Sequence, residues 1–182
     1  MKKGFDFFST RLKGTEFDLS LIIELPSIYG MFVRCFEINS SCLRIDRFVD
    51  QDGDILSMGS IKFQLPDGSS SIYLNNFLDA SDILIQWEIS KEEIEWKEHR
   101  LLRIALLGQA GFGGLYLGCG ENNSDEIWIF NADSQEKFKK IDDNIYLFIK
   151  RLEFSTDFSN LDTGDYENLY RIWGEDFWRL KG

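Results

Sequence analysis

The chain has 182 residues, a length that fits one domain, with at most an appended tail. Its 43% hydrophobic content, with 16 Phe, 6 Tyr and 5 Trp, supplies a sizeable core and excludes wholesale disorder or fibrous structure. Twenty Lys and Arg against 31 Asp and Glu give a formal charge of −11, which disfavours nucleic acid and anionic membranes and favours a basic partner.

The opening Met1-Lys2-Lys3 is basic, but Asp6, Arg11 and Lys13 interrupt any apolar run behind it, so no secretory signal is expected. The densest apolar stretch, Leu19 to Pro26, contains Ser20 and Glu24 and is too short to span a bilayer. Cys35, Cys42 and Cys119 are odd in number and match no metal spacing. They are read as small, reduced core residues of a cytoplasmic protein.

A first helix is predicted from Pro26 to about Phe36, because proline suits a first helical turn and Ile28, Phe32 and Cys35 recur at helical spacing on the face expected to turn inward. Short alternating segments follow. Leu43 to Val49, Ile61 to Leu65, Ser71 to Leu74 and Ile83 to Ile89 are predicted as strands. Asp52-Gly53 and Pro66-Asp67-Gly68 punctuate them as hairpin turns. Further strands are predicted at Leu101 to Leu107, Gly114 to Leu117 and Ile127 to Asn131. The last is apolar on both faces and therefore expected inside the sheet. A second helix is predicted from Ile141 to Leu152, with Ile141, Ile145, Phe148 and Leu152 on one face and an acidic start and basic end that suit the helix dipole. A third is predicted where Tyr166, Leu169, Tyr170 and Trp173 share a face ahead of Gly174. The expected fold is one α+β domain, 1–156, with a mostly antiparallel sheet flanked by helices, and an aromatic helical appendage, 157–182, packing on it.

Chemical motifs are incomplete throughout. In Gly111-Phe112-Gly113-Gly114-Leu115-Tyr116-Leu117-Gly118-Cys119-Gly120, Gly113 and Gly118 have a phosphate-loop gap. Cys119 and Gly120, however, stand where Lys and Ser or Thr must contact phosphate and magnesium. A turn leading into a buried strand is the preferred reading. Asp50-Gln51-Asp52-Gly53-Asp54 opens like a calcium loop, yet Ile55 replaces the required glycine and Ile61 the closing glutamate. His99, the one imidazole, lies in the charged run Glu95-Trp96-Lys97-Glu98-His99-Arg100 with no nucleophile frame near it in sequence. No catalytic, metal or cofactor residue is assigned.

Charge distribution is more informative. Asp79 to Glu98 holds seven acidic residues and two lysines, and Glu121 to Asp133 four acidic residues and no base. Trp87, Glu92, Glu95, Trp96, Asp125, Glu126 and Asp133 are therefore the candidate partner-binding residues: aromatic anchors among carboxylates that would steer a cationic protein. The competing reading is a solvated acidic face over core tryptophans.

Leu25-Pro26-Ser27-Ile28-Tyr29-Gly30-Met31-Phe32, followed by Asn39, resembles the Leu-Pro-x-x-Tyr-x-x-Phe helix and Asn-Gly turn of the SUKH superfamily of Smi/Knr-type domains, with Ser40 in place of the usual glycine. Leu101 to Ala105, Gly114 to Gly118, Glu126-Ile127-Trp128 and Ile141 to Ile149 resemble that family's later strands and closing helix, in order, over residues 17–152. The resemblance implies an intracellular α+β domain that binds proteins without catalysis or cofactor. Many bacterial members are immunity proteins that neutralise a cognate toxin domain, often a nuclease or other polymorphic toxin; the alternative is a regulatory scaffold or peptide-binding module acting on endogenous proteins.

Overall fold

The structure is a computed structural model that describes residues 4–8, 10, 23–37, 47–49, 55–108, 111–156 and 167. The predicted helix around Tyr166 to Trp173, the Asp52-Gly53 turn, Cys42 and the beginning of the Leu43 to Val49 segment lie outside those residues. A short 3-10 turn, Gly4–Phe7, precedes helix α1, Ser27–Cys35. The strands are β1 (Arg47–Val49), β2 (Ile55–Gln64), β3 (Ser71–Phe77), β4 (Leu101–Leu107), β5 (Phe112–Gly118), β6 (Ile127–Asn131), β7 (Phe138–Asp142) and β8 (Glu153–Thr156). Helices α2 (Ala80–Ser90) and α3 (Ile94–His99) connect β3 to β4, and α4 (Ile145–Lys150) follows β7.

All strand pairs are antiparallel, in the spatial order β1 to β7, with β8 added beside β2. Strands β1 and β8 share one edge of β2 end to end: β1 pairs residues from Ile55 to Met58, and β8 pairs Gly59 to Lys62. The sheet curls far enough that Lys139 of β7 forms an ion pair with Asp67 in the β2–β3 turn. This is a single α+β domain with an antiparallel sheet and helices, as the sequence pattern implies.

Helix α1 turns a different stripe inward from the one expected. Tyr29, Phe32 and Val33 are buried, whereas Ile28 is 37% exposed and Cys35 is exposed. The 29, 32, 33, 36 series follows the i, i+3, i+4, i+7 rule more closely than 28, 32, 35, and with Phe36 it presents a run of rings to the core. Phe32 and Phe36 lie 5.3 Å apart, and Phe8 meets Phe32 edge-on at 5.5 Å. Deeper in, Phe63 and Phe148 meet edge-on at 4.9 Å. Such pairs add about 1 kcal/mol each beyond their burial.

Three elements depart from the sequence reading. Ile83 to Ile89 is helical, not a strand, because Asp79 caps α2: its carboxylate accepts the Asp82 N–H at 2.9 Å. The alternation of Ile83, Ile85 and Ile89 imitates a strand, but burial of Ile83 beside half-buried Leu84 and Trp87 fixes a helix on β4. The charged approach to β4 is itself the short helix α3, ending at Arg100 in the left-handed region (φ 53°). The helix expected from Ile141 begins only at Ile145, because Asn144 accepts the N–H groups of Tyr146 and Leu147 at 3.1 Å and starts α4 there. Ile141 belongs instead to β7, a strand the sequence did not suggest. All four members of the proposed stripe, Ile141, Ile145, Phe148 and Leu152, are nonetheless buried.

The Pro66-Asp67-Gly68 turn forms as expected, with Gly68 at φ 70° and Asp67 accepting from the Ser69 backbone and hydroxyl. Strands β4 and β6 coincide with their predicted limits. Strand β6 is flanked on both sides, with Ile127 and Ile129 buried in the core and Trp128 and Phe130 half-buried on the other face.

Candidate functional site: an acidic helical surface

The seven candidate residues separate into three places. Trp87, Glu92, Glu95 and Trp96 belong to the α2–α3 segment; Asp125 and Glu126 to the β5–β6 loop; Asp133 to the β6–β7 loop. The side chain of Glu95 lies outside the described residues. Trp96 is only 9% exposed and packs edge-on against half-buried Trp87 at 4.8 Å, so this pair is a packing element of the helical layer. Lys91 lies over Trp87 at 5.9 Å and Arg100 over Trp96 at 4.8 Å, covering the rings with cations. Glu92 and Asp133 are exposed.

Asp125 is a structural residue. It is 6% exposed, and one carboxylate oxygen accepts the N–H groups of Ile28 at 3.0 Å and Tyr29 at 2.9 Å. Pro26, at the N-cap of α1, has no side-chain acceptor to offer. A carboxylate nearly a hundred residues away fills that role and sets a negative charge at the positive end of the helix. The loop that carries Asp125 is tied down at both ends. Asn123 donates through Nδ2 to the His99 carbonyl at 2.6 Å and accepts from Gly120 at 2.8 Å, and Gly118 and Glu126 join through a backbone bond. The end of α3 and the β5–β6 loop are thus one unit.

Glu126 is half-buried and paired with Lys140 at 2.6 Å, while Lys140 also holds Asp143 at 2.7 Å. Asp143 and Glu126 together keep the Lys140 ammonium above the ordinary lysine range. The glycine cluster is a turn, with Gly111 at φ 84°, leading into the buried strand β5. Gly113 and Gly114 leave room there for the ring of Phe130 and the stem of Arg103.

The surface the sequence reading missed lies on α2. Ile85 is 55% and Ile89 46% exposed, one helical turn apart, with Glu88 and Glu92 exposed beside them. A strand over 83–89 would turn Ile83, Ile85 and Ile89 to one face; the Asp79-Ala80-Ser81-Asp82 capping sequence is the signal for a helix instead.

Of the two described cysteines, Cys35 departs from the expected core position and Cys119 agrees with it. Cys35 is exposed, and Cys119 is largely enclosed, where burial pushes its thiol up to about 12. Burial also pushes the Tyr29 phenol up, and its hydroxyl has no hydrogen-bond partner among the described residues. In the native protein at mildly alkaline pH, iodoacetamide is expected to alkylate Cys35 and leave Cys119 untouched, with both reacting after unfolding. Mass spectrometry of the labelled peptides reads this directly, and native labelling of Cys119 would contradict it.

Comparison with protein-family models, with curated proteins and with solved structures returned no match. Among the described residues no three His, Cys, Asp or Glu side chains converge as metal ligands, and no helix is long and apolar enough to cross a membrane.

Proposed function

We propose that this chain is a SUKH-type protein-binding domain of the cytoplasm, and that it acts as an immunity protein, occluding a basic toxin domain by stoichiometric binding without turnover or cofactor. The observation that carries the reading is the exposed Ile85 and Ile89 pair on a helix whose neighbouring side chains are carboxylates. Large aliphatic side chains exposed a turn apart favour a covered state, and a rim of glutamates selects a cationic cover. The formal charge of −11 supports the same partner chemistry, because a protein built to hold phosphate is basic.

The test is co-expression with the product of the adjacent gene, followed by co-purification and a salt titration. A tight one-to-one complex, weakened by salt, that silences a toxic neighbour is expected. The double variant Ile85→Ser with Ile89→Ser should keep the native melting temperature within about a degree, since both side chains are exposed. It should weaken the complex by about 30-fold or more. Absence of any complex, with no toxicity in the neighbour, would move the reading to a regulatory scaffold.

A further inference from the structure

On the sheet face opposite the core, strand register places Arg103, Tyr116, Trp128 and Lys140 in one row across β4 to β7. Beside that row the end of α3, the β5–β6 loop and the β6–β7 loop enclose two adjoining hollows of about 690 and 470 Å³. Glu98, His99 and Trp128 line both, so they form one groove with the half-buried indole at its centre. Phe138 adds a second ring, 5.6 Å from the imidazole of His99. The Trp128 indole N–H is enclosed and has no acceptor among the described residues.

Four carboxylates, Glu98, Glu121, Glu126 and Glu136, line the groove against three basic side chains, Arg100, Lys137 and Lys140. Lys140 is already paired, whereas Arg100 keeps its charge while it covers a ring. Arg100 lies over Trp96, and Lys140 is held between Glu126 and Asp143. Glu98, Glu121 and Glu136 are exposed, with Arg100 and Lys137 as the cations beside them in the groove and the His99 imidazole 3.8 Å from Glu98. Aromatic faces bounded by surplus carboxylates attract a cation that can shed part of its water, and a guanidinium, planar and weakly hydrated, suits them better than an ammonium.

We propose that this groove is a receptor for an arginine side chain of the basic partner. The inference rests on the partner-binding reading above and names its anchor: the guanidinium stacks over the Trp128 and Phe138 rings while Glu98 and Glu136 accept its N–H groups.

His99 is the single histidine of the chain, so its imidazole protons give an isolated NMR reporter inside the groove. Titration with N-acetyl-arginine amide is expected to shift those signals saturably. N-acetyl-citrulline amide, of the same shape without charge, is expected to produce no saturable shift. In the double variant Glu98→Gln with Glu136→Gln, both sites being exposed and the fold retained, arginine binding should weaken about fivefold. Equal shifts with citrulline, or unchanged binding in the variant, would overturn the assignment. Saturable, variant-sensitive arginine binding in a chain that forms no complex with a basic domain would uphold the groove and sink the immunity reading. A toxin complex equally tight for the native chain and the variant would uphold that reading and sink the groove.

Discussion

Replacing Gly118 with alanine is expected to destabilise the domain by about 3 kcal/mol, at the upper end of what overpacking costs. Gly118 closes β5 in the middle of the sheet, where it is buried. A Cβ there would overlap the carbonyl oxygen of Asn123 and sit 2.9 Å from its carbonyl carbon. Main-chain atoms cannot swing aside as a flexible side chain can. The β5–β6 loop must lift, and with it go the Asp125 N–H to Gly118 bond and the Gly118 N–H to Glu126 bond, at 3.0 and 2.8 Å. Urea denaturation should show a lower midpoint at an unchanged slope. A variant as stable as the native chain would mean that the loop does not fold back over β5.

Replacing Asp125 with alanine should cost about 2 to 3 kcal/mol, while asparagine should cost less than about 1. Alanine removes the acceptor shared by the Ile28 and Tyr29 N–H groups and leaves both without a partner inside the protein. It also places an ordinary L-residue at φ 69°, a conformation that Asp and Asn tolerate and alanine does not. Asparagine keeps the oxygen and the backbone preference and loses only the charge at the helix N-terminus. Far-UV circular dichroism and urea melts of the two variants separate these contributions; equal losses would deny the capping role. Because Gly118→Ala displaces the same loop, the two alanine changes together should cost less than their sum.

The parts of the fold legible in sequence are those where local pattern and tertiary demand agree. Leu101 to Leu107 is almost wholly aliphatic and Ile127 to Asn131 alternates isoleucine with aromatic rings, and both form strands with those limits. Ile83 to Ile89 failed because an alternating triplet of isoleucines carries both periodicities, and the cap at Asp79 decides between them. Helix α4 was extended over Ile141 because Asp142-Asp143-Asn144 reads as an acidic first turn, when Asn144 is in fact the cap. The site was legible as a charge distribution and not as a set of contacts. Trp96 and Asp125 were singled out for surface chemistry and are buried, since composition cannot tell a carboxylate that faces a partner from one that faces a distant helix end. Pro26 held the only hint: a helix start without a side-chain acceptor must find one elsewhere.

The arrangement of β1 and β8 along β2 has a bearing on how the molecule is made. Lys62 and Glu153 are ladder partners, so the middle of β2 stays bare along that edge until the ribosome has released a segment some ninety residues downstream. Closing a loop of that size has an entropic penalty that grows only slowly with length, but contacts so distant slow the search. The meander from β3 to β7 can assemble as it emerges, one neighbour at a time. The seam at β8 then acts as the latch, and nascent chains stalled ahead of it would carry an open, aggregation-prone border.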